Sequence, residues 1–306
     1  MGLPLTLNGQ VGFYQGKVRD VYFLDKGRLA IVASDRISAF DHILPRAIPG
    51  KGQMLNDIAY HFLQATEHII SNWSEALPHK SVTTGKTAEP IKIEMVVRGF
   101  LCGHALRQYT AGERTLCGAS MPDGMLPYQA FPQPIITPAT KADHGEHDED
   151  ISPREILNRG IVSEDLWQKL ASVSLELFAF GQQMASERGL LLADTKYEFG
   201  LIDGELILID EIHTPDSSRY FYADGFDEAV SQGRPPKHLS KEFVREWLMS
   251  KGFQGREGDV MPVMEDEDVQ LIRDRYMELY ETMLGRPFQE ESMDNLQETI
   301  NVFLKR

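Results

Sequence analysis

Apolar and polar positions are interleaved along the first part of the chain. In KVRDVYFLD (17–25), Val18, Val21 and Phe23 alternate with charges, and GRLAIVAS (27–34) is a short apolar run. Asp25-Lys26-Gly27 is a turn signal between them, so the two runs read as a β-hairpin. The period then changes. In GQMLNDIAYHFLQAT (52–66), Leu55, Ile58, Ala59, Phe62 and Leu63 recur at helical spacing. IKIEMVVRG (91–99) returns to a strand pattern.

Residues 118–150 hold five prolines and end in acids and histidines, which predicts a long loop. SPREILNRG (152–160) opens a short helix. Ser152 is placed to cap it, Pro153 suits its first position, Glu155 completes a capping box and Gly160 stops it. The longest helix is expected over 163–189. Its apolar residues recur around most of its surface, so it is expected to be buried, with Gly189 as its stop. The tail, 240–306, reads as helices. A β-rich part, then a mixed part, then helices argue for an α+β fold, divided at 1–95 and 96–306.

One hairpin breaks the pattern. In DTKYEFGLIDGELILIDEIHTPDSSR (194–219), two strand-like runs flank Asp203-Gly204, yet Asp194, Glu198, Asp210 and Glu211 lie within or at the ends of them. A two-residue loop sets Ile209 opposite Glu198 and sends the carboxylates of Glu198 and Asp210 to opposite faces. A three-residue loop, or a bulge at Gly200, brings them to one face. Two convergent carboxylates suit a hard divalent cation, and an acid pair ending a buried strand needs a cation or an arginine. A wider loop or a bulge near Gly200 is therefore expected.

Composition narrows the function. The net charge is −15, from 31 Lys and Arg against 46 Asp and Glu, so a diffuse basic face for nucleic acid is not expected. Anionic ligands must be met by local basic clusters. Cys102 and Cys117 are the only cysteines, no apolar leader opens the chain, and no run is long enough to span a membrane. A cytoplasmic protein acting on small molecules is expected, as a monomer or small homo-oligomer.

Other clusters qualify. Gly16 allows close backbone approach to phosphate, and Lys17 and Arg19, two apart on a strand, share a face. SDRISAFD (34–41) gathers Asp35, Ser38 and Asp41 after an apolar strand, and Arg98 ends the next strand, before Gly99 and Gly103. TKADHGEHDED (140–150) places two histidines three apart among acids, without the cysteine partners of a zinc site.

Taken in order, GKVRDVY (16–22), SDRISAFD (34–41), VVRG with its following glycines (96–103), TPATKADHGEHDEDIS (137–152), ADTKYEFG (193–200) and DEIHTPDSSR (210–219) resemble the SAICAR synthetase family over nearly the whole chain. The resemblance implies a two-lobed α+β fold related to kinases and ATP-grasp enzymes. A small β-rich nucleotide-binding lobe precedes a larger substrate- and metal-binding lobe with a helical tail, and ATP lies in the cleft between them. It implies ATP-dependent ligation of L-aspartate to carboxyaminoimidazole ribonucleotide (CAIR), with Mg²⁺.

By the same resemblance, Gly16, Lys17 and Arg19 lie by the ATP phosphates, and Thr87 and Glu89 lie near the adenine. Glu198 and Asp210 hold the metal. Lys196 and Asp194 approach the reacting carboxylate, and Arg98 and Arg219, with Ser217 and Ser218, grip the ribose phosphate. Asp35, Ser38, Asp41, Lys141 and His147 border the imidazole and aspartate pockets. His104 stands where many relatives carry a serine for the substrate phosphate; an imidazole can also donate there. Two other readings remain: a kinase, which lacks an H-R-D-x-x-x-x-N loop here, and a non-catalytic nucleotide-binding module, against which Lys17, Glu198 and Asp210 together argue.

Overall fold

The alternation at the N-terminus folds as antiparallel strands. In the computed structural model, which describes residues 4–40, 42–141 and 149–305, β1 (Gln10–Gln15), β2 (Arg19–Leu24) and β3 (Arg28–Ala33) pair in turn. The expected hairpin is β2–β3, with Lys26 and Gly27 both at positive φ in its turn. A miniature pair, β4 (Ser38–Ala39) and β5 (His42–Ile43), precedes α1 (Lys51–Ala65). Then β6 (Ser74–His79) and β7 (Val82–Lys86) complete a five-stranded sheet of order β1-β2-β3-β7-β6.

A second sheet is built around β8 (Glu89–Phe100). After α2 (Gly103–Thr110), β9 (Thr115–Leu116) pairs with β10 (Ala119–Ser120), which is the first strand inside the 118–150 stretch expected to be loop. That stretch also contains β11 (Ala130–Ile136) and β12 (Ala139–Thr140), both on β8. β11 is an edge strand whose register shifts between Ala130 and Ile135, around Pro132 and Pro134, and an edge tolerates residues with no N–H to donate.

The helix α3 (Pro153–Asn158) has its capping box: Glu155 N–H donates to Ser152 Oγ at 3.3 Å, and Ser152 N–H to Glu155 Oε2 at 3.0 Å. The helix α4 (Glu164–Ser186) is not buried all round as expected. Leu170, Ser174, Leu177, Phe178, Gly181 and Ala185 form one buried stripe at helical spacing, while Leu175 faces solvent. Then β13 (Leu190–Ile202), β14 (Glu205–Ile209), β15 (Ser218–Tyr222), α5 (Phe226–Ser231) and β16 (His238–Leu239) follow. The sheet order is β11-β8-β13-β15-β16, with β14 also pairing β13.

The tail folds as α6 (Glu242–Ser250), α7 (Asp266–Leu284) and α8 (Leu296–Leu304). On α8, Leu296 and Ile300 join Leu7, Tyr22, Leu24, Ala30, Val32 and Val82 in one apolar cluster. Each buried Leu, Ile or Val among them contributes roughly 1.5–3 kcal/mol. Tyr280 and Arg286 both donate to the buried carboxylate of Asp57 on α1, at 2.6 and 2.8 Å.

The tail therefore groups with the N-terminal strands. One compact unit is Met1–Gln64, Trp73–Thr87 and Ser240–Arg306; the other is Ala65–Asn72 and Ala88–Leu239. This division differs from the single boundary at 95/96 that the sequence predicts, because an amphipathic pattern says which face is buried but not against what. Among the described residues, no helix is long and apolar enough to cross a membrane.

Candidate active site

The hairpin β13–β14 has the loop that was not expected. Ile202 pairs with Glu205 across a two-residue turn, and Asp203 and Gly204 lie at φ +52° and +84°. The pairing is regular, so Ile209 stands opposite Glu198. On the other edge of β13, the register against β8 shifts between Glu198 and Gly200, but this bulge does not alter the hairpin. The acids converge by a different route. Asp210, the first residue past β14, lies at φ +61°, a left-handed conformation that aspartate tolerates better than most residues. The strand's alternation ends there.

Both acids then reach Lys196. Its ammonium donates to Glu198 Oε1 and, at 3.4 Å, to Asp210 Oδ2, with Glu94 Oε1 at 3.3 Å. Lys141 donates to the other oxygen of Glu198. Glu94 faces Glu198 directly across β8 and β13, so the sheet register assembles the cluster. Burial alone lowers the pKa of Lys196, but Asp210, Glu94 and Glu211 outweigh it and hold the pKa above its ordinary value. Lys196 is a fixed cation at neutral pH. Glu198 and Asp210 converge on the Lys196 ammonium, and among the described residues no group of three or more His, Cys, Asp or Glu side chains is arranged to hold a metal ion, so a hard divalent cation here would draw on these two carboxylates and on oxygens from its ligand.

Further along the same two strands, Asp194 pairs in register with Arg98 of β8 on one side and Arg219 of β15 on the other. Its Oδ2 accepts from Arg98 Nη1 at 3.1 Å and from Arg219 Nη1 at 2.5 Å. Arg98 Nε also donates to Thr137 Oγ1 at 2.8 Å. The guanidinium of Arg219 lies against Gly103, at the N-terminus of α2. A Cβ there would come within 2.5 Å of Nη1, and Gly103 is at φ +53°. Cys102, the N-cap residue of α2, provides no side-chain cap. Its thiol is pushed up to about 12 by burial, with Asp194 adding to the effect. Two arginines thus gather beside a helix N-terminus, a favourable setting for an anion. His104 follows in the same turn and pairs with Asp150, Nε2 to Oδ2 at 2.6 Å.

The serines after the hairpin belong to a hydroxyl network. Ser218 Oγ lies 2.8 Å from Thr195 Oγ1 and 3.3 Å from Ser217 Oγ, and Thr214 donates to the buried Glu211 at 2.7 Å. Beneath them His213 is fully buried, with Nε2 3.3 Å from the Tyr197 hydroxyl. Burial pushes its imidazole down to about 3.

In the other unit, Gly16 N–H donates to Arg19 C=O at 2.7 Å in a tight turn that contains Lys17. A Cβ on Gly16 would lie 2.9 Å from that carbonyl oxygen. The carboxylate of Asp35 accepts from the N–H groups of Gly50 and Gly52, at 3.2 and 2.9 Å, and so anchors the start of α1. Ser38 sits in β4 opposite Ile43 and Thr87 N–H donates to Gly27 C=O at 2.8 Å, whereas Glu89 begins β8 in the unit that holds Glu198 and Asp210. Asp41 and His147 lie outside the described residues.

Glu94, Thr137 and Thr214 join the site without having stood out in the sequence, whereas Glu211 stood out there only as an acid of the hairpin. Glu94 carried no local signal, because its strand neighbours Ile93 and Met95 face the opposite side of the sheet and an acid between them reads as ordinary alternation.

Comparison with known proteins gives one result. The SAICAR synthetase family model matches residues 12–260. A Bacteroides thetaiotaomicron phosphoribosylaminoimidazole-succinocarboxamide synthase is 53% identical over 292 residues, covering 95% of this chain and 93% of that protein. The Cytophaga hutchinsonii protein of the same name is 54% identical, covering 96% and 94%. Among solved structures, the SAICAR-synthase from Saccharomyces cerevisiae complexed with SAICAR matches with a TM-score of 0.79 and 30% identity, covering 94% of this chain and 99% of that one.

Proposed function

This chain belongs to the SAICAR synthetase family, and from that premise we propose that it joins L-aspartate to the carboxylate of CAIR, giving SAICAR, ADP and phosphate in purine biosynthesis. The chemistry follows from the substrates. A carboxylate is a poor acylating agent. A CAIR carboxylate oxygen attacks the γ-phosphorus of ATP, and ADP leaves. The aspartate amine then attacks the acyl carbon of the acyl phosphate, releasing phosphate and a proton. Little covalent chemistry falls to the protein, whose task is positioning and charge neutralisation.

The residues divide by charge. Gly16, Lys17 and Arg19 approach the nucleotide phosphates, with Thr87 and Glu89 near the adenine. Glu198 and Asp210 hold Mg²⁺, which when bound neutralises phosphate oxygens. Lys196, a permanent cation, holds the reacting carboxylate. Arg98 and Arg219, oriented by Asp194 beside α2, take the ribose phosphate with Ser217, Ser218 and His104; a guanidinium has five donors, and Asp194 uses one of each arginine. Asp35, Ser38, Asp41, Lys141 and His147 border the imidazole and aspartate pockets, Asp35 through the loop it anchors. The enzyme works as a monomer or small homo-oligomer in the cytoplasm.

The observation that carries this reading is the meeting of Glu198 and Asp210 at Lys196, on a chain of this family. The test is ADP release with Mg²⁺, omitting each substrate in turn. SAICAR and ADP are expected in equal amounts only when ATP, CAIR and aspartate are all present. Stoichiometric phosphoryl transfer to another acceptor without aspartate would overturn the reading.

A further inference from the structure

We propose that Arg36 is a positioning residue for the nucleotide: it fixes the backbone of the turn at 16–19 so that its amides face the phosphates. The inference rests on the reading of Gly16 and Lys17 as phosphate contacts. Arg36 follows β3, on the loop anchored by Asp35. Its Nη2 donates to Gly16 C=O at 3.1 Å and its Nε to Lys17 C=O at 3.1 Å. The same Nη2 lies 2.6 Å from Asp20 Oδ1, which holds the guanidinium in place from β2. Ser34 takes the next carbonyl, with its N–H and its hydroxyl donating to Val18 C=O at 3.0 and 2.8 Å. Ser34 Oγ in turn accepts from Arg36 N–H at 3.3 Å.

Three successive carbonyls, of Gly16, Lys17 and Val18, are therefore turned toward one loop. A trans peptide is planar, with its N–H and C=O pointing opposite ways. Fixing these carbonyls directs the N–H groups of Lys17 and Val18 away from Arg36, while Arg19, whose own C=O accepts from Gly16 N–H, turns back across the hairpin. Successive amides aimed to one side make a concave donor surface for an oxyanion. Arg36 is shielded, its side chain 13% exposed and that of Asp20 17%, so this guanidinium acts through the backbone it grips. Lysine cannot replace it, because a point charge does not reproduce a planar fork on two carbonyls and a carboxylate.

The experiment compares Arg36→Lys, Arg36→Gln and Lys17→Ala by steady-state kinetics in all three substrates, with ADP affinity measured directly by calorimetry. Arg36→Lys is expected to raise KM for ATP and Kd for ADP about tenfold, the loss of one charge-assisted contact. KM for CAIR and for aspartate should stay within about twofold. Arg36→Gln should do the same or more; if it does not fold, Arg36→Lys carries the test. A general scaffold role predicts instead that kcat and all three KM values change together with thermal stability, and that result overturns the proposal. So does an unchanged ADP affinity in Arg36→Lys when Lys17→Ala has lost nucleotide affinity. If Lys17→Ala keeps its ATP KM, the phosphate reading of the turn itself has failed.

Discussion

Asp210 shares the Lys196 cation with Glu198, although a regular two-residue hairpin should part them. The left-handed backbone at Asp210 achieves this. If the pair holds Mg²⁺, Glu198→Gln and Asp210→Asn should each lower kcat about a hundredfold, in the range for losing one electrostatic stabiliser of a transition state. Saturating Mg²⁺ should recover part of the loss. A Mg²⁺ titration of ADP release that leaves the half-saturating concentration unchanged in both variants would count against the assignment.

Lys196 should act as charge and not as base. Its pKa is raised by Asp210, Glu94 and Glu211 against the effect of burial. A raised folded pKa means its ion pairs stabilise fully below the unfolded value and weaken only as pH rises through the folded one. No ionisation of Lys196 should therefore appear in kcat/KM between about pH 6 and pH 10. Lys196→Met should lower kcat at every pH alike. An ascending limb present in the native enzyme and absent in Lys196→Met would give lysine a base role instead.

The sequence made the strands, the short capped helix and the charged hairpin legible, because alternation and capping are local rules. It did not reveal how the acids converge, since a single φ at Asp210 is invisible in a pattern of residue types. Pro132 and Pro134 read as loop because nothing local marks Ala130–Ile136 as an edge strand on β8. Asp35 read as a ligand-facing acid, and its bonds to Gly50 and Gly52, fifteen and seventeen residues on, are nonlocal. Glu94 was overlooked for the same reason: its meaning comes from the register that sets it opposite Glu198.

Asp194 should matter to stability as well as to substrate phosphate. It is the shared partner of Arg98 and Arg219, and all three are mostly buried. Asp194→Ala leaves two guanidiniums without their carboxylate and should cost about 3 kcal/mol, as for a broken buried ion pair. Gly103→Ala is the complementary change. Its methyl group strikes Arg219 and its φ of +53° disfavours any side chain, so KM for CAIR should rise while KM for ATP holds. Urea denaturation checks the first and kinetics the second. An Asp194→Ala protein as stable as the native one would show that the arginines find other partners.

His213 should make the fold sensitive to acid. Its pKa is pushed from 6.5 to about 3 by burial, so the folded protein keeps it neutral while the unfolded chain protonates it. The sign follows: above pH 6.5 the shift has no effect, and stability falls as pH drops from 6.5 toward 3. The limiting slope is about 1.4 kcal/mol per pH unit for one proton. His213→Asn can occupy the left-handed backbone at this position, φ +58°, and does not titrate. Urea midpoints at pH 7, 5 and 4 should fall less steeply in the variant than in the native protein. Equal slopes would mean other groups dominate acid unfolding.

The tail should brace the loop that carries Asp35, Arg36 and Ser38. Contacts run in order along both segments. Phe40 and His42 meet Phe253, with ring centroids 6.4 and 5.4 Å apart, and Arg46 donates to Met264 C=O at 3.1 Å. Arg273 then donates to Pro49 C=O at 3.1 Å. The tightest point is Gly255, at φ +75°, where a Cβ would come within 2.7 Å of Phe40 Cβ. Phe40 is itself at φ +49°, so the bulky residue is held in a left-handed backbone by this packing. Gly255→Ala adds strain on both sides and should destabilise by about 2 kcal/mol. Removing the ring in Phe253→Ala should release Phe40 and raise local amide exchange across 36–43 without comparable change in the β2–β3 hairpin. Hydrogen exchange read by mass spectrometry separates the two. If protection is lost equally in both segments, the tail supports the unit as a whole and not this loop.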